Sequence, residues 1–538
     1  MVRPWKGRDS RWIPPGFPLT SWGKPGRKMR SVFTDLRDTM TIMAGTGEKK
    51  VIIVGAGFGG LSVAALLAKN GFEVLVLEKN EAPGGRASVY REKGFTFDMG
   101  PSWYLMPDVY ERYFAEFGKK PSDFFTLKKL DPSYRIHFGD GTHADVSPDL
   151  GKNIALFDTF EENGGEKLKK YLESSREMYE LTIHEMIYRD YKSIFDFFSG
   201  KMLSTGRKIH ILENLDTFVS KHFTSDHAKK IVEYSIGFLG GSPRNTPSMY
   251  HIMSHIDMTM GVFYPEGGIR KVAAEICGLA KQHGATFRFN EPVTKIRVED
   301  GKATGVETSL GSHDADIVLV NADYAFTELQ LLEPRYRTYD EKYWESRVLA
   351  PSSIVYYVGV NRRFPAIAHH TLFLDRNWED NFEEVFDPKK ARWPKNPSYY
   401  VNVPSLTDPT AAPEGSDTLF ILVALAAGLE DTPALREDLY NRVMDKLETA
   451  IGEKVRPAVV VKKSFARNDF RERYYAYKGT ALGLSHTLFQ TALWRPAHQS
   501  KKVENLYYTG QYTHPGIGVP MTIISSTIVA REITHKYS

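Results

Sequence analysis

The sequence predicts an α/β fold in more than one domain, and three observations carry that prediction. An apolar run, Val51–Val54, breaks into glycines at Gly55, Gly57 and Gly60, then into a helical pattern reaching Asn70-Gly71. A second apolar run, Glu73–Leu77, ends in Glu78. Much later, strand-like runs at 353–362, 398–404 and 418–425 precede an amphipathic pattern over Ala434–Ile451. The first two runs make a strand–turn–helix–strand–acid unit. The third set implies a separate, mostly antiparallel sheet with a helix covering it.

Each part of the first unit has a chemical reason. At G-x-G-x-x-G spacing, Gly55 permits the tight turn and Gly57 lets a pyrophosphate approach the backbone. Gly60 lets helix and strand pack closely. The helix start offers unpaired N–H groups and the positive end of its dipole. The Glu78 carboxylate can accept hydrogen bonds from a ribose. A dinucleotide is the expected ligand.

Composition narrows the rest. At 538 residues, two or three domains are expected. A single cysteine, Cys277, excludes a disulfide framework and a Cys-based zinc site, and its helix-like setting makes it a core thiol. The formal charge is +4, but residues 1–50 hold 11 Lys/Arg against 4 Asp/Glu, or +7, which leaves 4 − 7 = −3 for the remainder. No nucleic-acid partner is expected of such a chain. No stretch reads as a transmembrane helix, because the glycines within 51–68 mark a strand and a buried helix. Residues 1–49 lack any period and read as a disordered extension, or as an upstream start with Met40 or Met43 as the real one. The competing reading is a basic arm whose Trp5, Trp12 and Trp22 touch an anionic membrane. His369 and His370 are adjacent, point in different directions and lack a third ligand at metal spacing, so no metal is expected.

Further motifs follow the first unit. Gly84 and Gly85 allow close backbone approach to a phosphate, and Arg86 is a natural partner for its charge. Phe95–Pro101 reads F-T-F-D-M-G-P, Phe263–Gly268 reads F-Y-P-E-G-G, and Thr513–Pro520 reads T-H-P-G-I-G-V-P. Together these resemble the bacterial-type phytoene desaturases of the amine-oxidase-like flavoprotein superfamily, from about Val51 to the C-terminus. The resemblance implies a two-dinucleotide-binding-domain flavoprotein. Its Rossmann-like FAD domain would combine 50–120, 262–335 and 488–538. A mixed or antiparallel-sheet substrate domain would combine 121–158 and 336–487, with a helical insert at 159–261.

By the same resemblance, FAD would contact Gly55, Gly57, Gly59, Gly60, Glu78, Lys79, Gly85 and Arg86. Val293 would lie beside the adenine, and Gly510, Gly516 and Val519 beside the ribityl chain and ring. A substituent on Gly516 would then point at the ring. The final helix would aim its dipole at the flavin N1/O2 edge. Gln511-Tyr512 replaces the family's usual small residues, which leaves substrate specificity open.

The implied activity is desaturation of a linear carotenoid precursor, with hydride transfer to FAD and a quinone or oxygen as final acceptor. A hydrocarbon substrate calls for a long apolar channel that excludes water. Asp98, Glu266 and His514 are candidates for the proton acceptor, each with a plain structural alternative, and no catalytic dyad is evident. Alternative readings are another polyene flavoenzyme (carotenoid isomerase or retinol-saturase-like), an amine oxidase, or a non-enzymatic prenyl-binding escort protein. Phe195, Phe197 and Phe198 interleave with Lys201, Arg207 and Lys208. That suits a membrane interface as well as a core-facing helix end. On the former reading the protein is cytoplasmic and peripheral to the membrane.

Overall fold

The computed structural model describes residues 49–189 and 213–538. Its first sheet is built around Lys50–Val54. That strand pairs in parallel with Glu73–Leu77 on one side and with Ile317–Val320 on the other. Thr286–Arg288 and Leu506–Tyr508 extend the sheet at its two edges, also in parallel. Helices cover one face of this sheet and a small antiparallel sheet packs on the other, so Val51, Ile52 and Ile53 are wholly buried and read as an unbroken apolar run.

The helix Phe58–Lys69 is apolar nearly all round because it is sandwiched. The C-terminal helix Val519–Tyr537 and the helix Ile269–Gln282 pack against it, the latter burying Cys277. A small antiparallel sheet, Val293–Glu299, Lys302–Thr308 and Gly311–Asp314, adjoins this unit.

The second sheet has seven strands. In spatial order they are Val459–Phe465, Ser352–Val360, Asp417–Leu425, Tyr399–Asn402, His370–Phe373, Tyr134–His137 and His143–Val146. All neighbours are antiparallel except His370–Phe373 against Tyr134–His137. One face is covered by the helix Pro433–Ile451, which buries Leu439, Val443, Met444 and Leu447. The other face carries an aromatic core that includes Tyr134, Tyr357, Tyr400 and Phe420.

The helical region begins earlier than expected, at Leu150–Phe160, because Asp149 accepts from the Gly151 N–H at 2.8 Å and caps that helix. Gly164–Leu181 follows it. Residues 194–208, and all of the N-terminal arm up to residue 48, lie outside the described residues. Among the described residues no helix is long and apolar enough to cross a membrane.

Candidate active site

One continuous cavity runs from the C-terminal ends of the parallel strands to the aromatic face of the second sheet, with about 560 Å³ open to solvent-sized molecules. Its first end is made of backbone. Gly55 adopts φ +97°, the left-handed turn that only glycine takes without strain. A Cβ at Gly60 would lie 2.0 Å from the Gly55 carbonyl oxygen, so that glycine sets the contact of helix and strand rather than the cavity wall. Gly57 opens the helix Phe58–Lys69 and has no side chain to cap it, leaving the N–H groups of Phe58 and Gly59 for another partner.

The Gly84-Gly85-Arg86 turn docks on this loop. The Gly84 N–H donates to the Ala56 carbonyl at 2.8 Å, and Gly57 and Gly84 form a β-bridge. Arg86 lies over the Tyr474 ring at 5.3 Å, and among the described residues its Nε and Nη2 have no hydrogen-bond partner. Donors of that kind facing a glycine loop are what a phosphate would satisfy. Glu78 is buried at the end of its strand. Its Oε2 accepts from the Ala56 N–H and its Oε1 from the Asn80 N–H, both at 2.8 Å. Lys79 sits over the Tyr475 ring at 3.8 Å, and burial lowers its pKa.

Gly55, Gly57, Gly59, Glu78, Lys79, Gly85, Arg86, Val293, Gly510 and Val519 all line the cavity. Gly516 does not. It has φ +127°, and a Cβ there would meet the His486 ring at 2.4 Å. A side chain at this position would therefore strike His486, not the ligand.

The three proton-acceptor candidates separate. Asp98 accepts from the Ile269 N–H at 2.9 Å and pairs with Arg270 at 3.0 Å, which fastens the start of the helix Ile269–Gln282. Burial pushes its carboxyl up, and Arg270 opposes that rise. Glu266 pairs with Lys128 at 2.7 Å on the surface. Neither lines the cavity. His514 does, with Nε2 3.0 Å from the Ile187 carbonyl oxygen, and burial depresses its pKa to about 3.

Other lining residues escaped the sequence reading. Asn321 follows the strand Ile317–Val320, and with its amide oxygen turned to the loop it accepts from Gly60 N at 3.2 Å and Gly57 N at 3.3 Å. Its place at the C-terminal end of a parallel strand was the available signal. Arg473, Tyr474 and Tyr475 come from the far half of the chain and carry no motif.

At its second end the cavity is walled by Leu105, Met106, Ile183, Met253, Ile256, Phe420 and Leu422. Several polar groups there pair with one another. Tyr400 Oη lies 2.9 Å from Ser102 Oγ and 2.6 Å from His370 Nδ1, and Trp103 stacks on the His370 ring at 4.1 Å. Behind Trp103, Asp257 accepts from Tyr234 Oη at 2.8 Å and Tyr134 Oη at 3.2 Å, and burial raises its pKa to about 7.

The model of the family "flavin containing amine oxidoreductase" matches residues 58–534. The chain belongs to that family. It is similar to a carotenoid 3,4-desaturase of Haloarcula japonica, 42% identical over 91% of this chain and 99% of the relative. It is also similar to a zeta-carotene-forming phytoene desaturase of Myxococcus xanthus, 30% identical over 91% of this chain and 95% of the relative. A putative protoporphyrinogen oxidase from Exiguobacterium shares the fold. Its TM-score is 0.59 at 16% identity, covering 91% of this chain and all of the other. Within the family the chain groups with the carotenoid desaturases and is an FAD-dependent oxidoreductase. The glycine loops, the uncapped helix start and the unpartnered donors of Arg86 fit the cofactor's pyrophosphate.

Proposed function

We propose that this flavoprotein desaturates a linear carotenoid, removing hydrogen across a C–C bond held in the apolar end of the cavity. The observation that carries the proposal is the wall itself. Beyond the glycine loops it offers mainly aliphatic and aromatic side chains and, among the described residues, no unpaired charge, as a hydrocarbon substrate needs. The near full-length similarity to a carotenoid 3,4-desaturase supports the same reading. Bound FAD supplies the hydride acceptor. The chain holds the polyene in line with it, excludes water and leaves the developing allylic cation to the polyene's own π system.

His514 is the one of the three acceptor candidates on the wall, yet a base held near 3 is a poor proton acceptor at neutral pH. We assign it the task of tying Ile187 to the C-terminal turn.

A carotenoid partitions into lipid, and the surface has a patch to match. Phe489 is 69% exposed, Trp494 39% and Val348 43%. Gln490 joins them, accepting from the Val348 N–H at 2.9 Å and donating to its carbonyl at 2.8 Å, while Ala492 between the two rings lines the cavity. We infer that this patch rests on a bilayer, from which the polyene enters and in which a quinone can serve as final acceptor.

The test supplies phytoene in liposomes with flavin-loaded protein and a quinone, and reads conjugated-polyene absorbance. A longer chromophore is expected. Failure with both C40 and C30 precursors, together with oxidation of amines or isomerisation alone, would overturn the proposal.

A further inference from the structure

Arg495 is only 4% exposed, and among the described residues no carboxylate lies within ion-pair distance of it. Its guanidinium donates instead to five backbone carbonyls. Nε reaches Tyr512 O at 3.1 Å and Thr513 O at 3.2 Å. Nη1 reaches Gln490 O at 3.0 Å, and Nη2 reaches Gln511 O at 2.6 Å and Leu484 O at 3.3 Å. Burial lowers its pKa to about 10, which leaves it positive at neutral pH.

A buried charge without a counter-ion is costly, and carbonyl dipoles offset only part of that cost. The neighbouring imidazoles cannot supply the missing anion. The Ile517 N–H donates to His486 Nε2 at 3.1 Å, which makes His486 a neutral ring protonated at Nδ1, 2.6 Å from Tyr250 Oη. Burial keeps His514 neutral as well.

The turn pressed on this cation is the one whose Gln511, Tyr512 and His514 line the cavity. A Cβ at Gly516 would lie 3.2 Å from Arg495 Cζ, so the turn is close-packed on the guanidinium. In a trans peptide the C=O and N–H point in opposite directions. With the Gln511 and Thr513 carbonyls drawn to Arg495, the N–H groups of Tyr512 and His514 are directed away from it.

We propose that Arg495 is the buried counter-charge for reduced flavin: its cation, together with the peptide dipoles it orients, stabilises negative charge on the cofactor held against the Gln511–Thr513 turn. A neutral ring that accepts a hydride gains two electrons and one proton, and so becomes one unit more negative. No further reactant is needed for that balance. A preorganised cation at that spot favours the reduced form. The inference rests on the flavin cofactor and is independent of which polyene is used.

The experiment measures the flavin midpoint potential by dye-coupled reductive titration of purified Arg495→Met and Arg495→Lys, with no polyene present. At a fixed poise near pH 6, R495M should show at least a tenfold lower ratio of reduced to oxidised flavin, or about 30 mV for a two-electron couple. R495K, which keeps the charge, should stay within about threefold of the parent. A potential unchanged in flavin-loaded R495M, or equal shifts in both variants, would overturn the proposal. If R495M does not fold, R495K decides. Burial depresses a lysine pKa, so its ratio relative to the parent should fall at least tenfold between about pH 6 and pH 9. A flat ratio would sink the idea, and because no polyene is present the desaturase reading would still stand.

Discussion

The two ends of the cavity are made of different material. The glycine-loop end uses backbone: Gly55, Gly57 and Gly85, the uncapped helix start at Phe58, and two charged side chains, Glu78 and Arg86. The far end uses side chains: Leu105, Met253, Phe420, Trp103 and Tyr400. A phosphate needs fixed N–H donors at close range, which only bare backbone provides. A polyene needs shape and dryness, which many combinations of aliphatic and aromatic residues provide. The first end should therefore be intolerant of a single methyl group, and the second should be sensitive mainly to stray charge and to its opening onto lipid.

The largest effect expected is at the first end. Gly57 has an ordinary backbone conformation, and a Cβ there meets only the tip of the Asn321 side chain at 2.9 Å, so Gly57→Val leaves the fold standing. The added methyls occupy the phosphate approach and should weaken flavin binding by roughly a hundredfold or more, about 3 kcal/mol. The check is flavin absorbance per mole of folded protein; full retention would break the contrast between the two ends.

Next comes the rim. Replacing Phe489 and Trp494 together by Ser removes apolar surface worth about 2 kcal/mol per ring at most. Liposome co-sedimentation should drop by about tenfold while flavin content holds. Unchanged sedimentation would locate the membrane contact elsewhere.

The smallest effect concerns Asp257, a carboxyl in the wall behind Trp103. Its folded pKa, about 7, stands above the unfolded value of 3.8. Between these the folded chain holds a proton that the unfolded chain has lost. The sign follows: this group's contribution to stability is fully present below pH 4 and is lost as pH rises towards 7, at up to about 1.4 kcal/mol per pH unit. Asp257→Asn keeps the neutral form's acceptor for Tyr234 and Tyr134 and should flatten that slope. Urea midpoints of both proteins at pH 5 and pH 7 measure it. Equal slopes would mean that the dry end does not hold this carboxyl neutral.

These contrasts also explain what could be read in advance. A phosphate cradle is a local object. Gly55 to Gly60, Glu78 and Gly84 to Arg86 sit within about thirty residues, and each owes its identity to its own turn, strand end or helix start. The same is true of the sandwiched helix and the amphipathic helix Pro433–Ile451, whose periodicity announces their burial. That Asp98 and Glu266 lie off the cavity was not legible. A carboxylate looks the same in sequence whether it fastens a helix to Arg270, pairs with Lys128 in solvent or faces a ligand.

The sequence by itself determined the parallel-sheet unit and its dinucleotide loops, because each follows from short-range spacing, whereas an apolar substrate end was implied only by the family resemblance. Only the tertiary structure decided that Asn321 reaches the glycine loop, that Tyr474 covers Arg86, that Gly516 backs onto His486, and that Arg495 lies beneath the Gln511–Thr513 turn. Those pairings join residues with no local periodicity between them. They exist because the second sheet and the closing turn pack against the first, and packing at that range is a property of the whole chain.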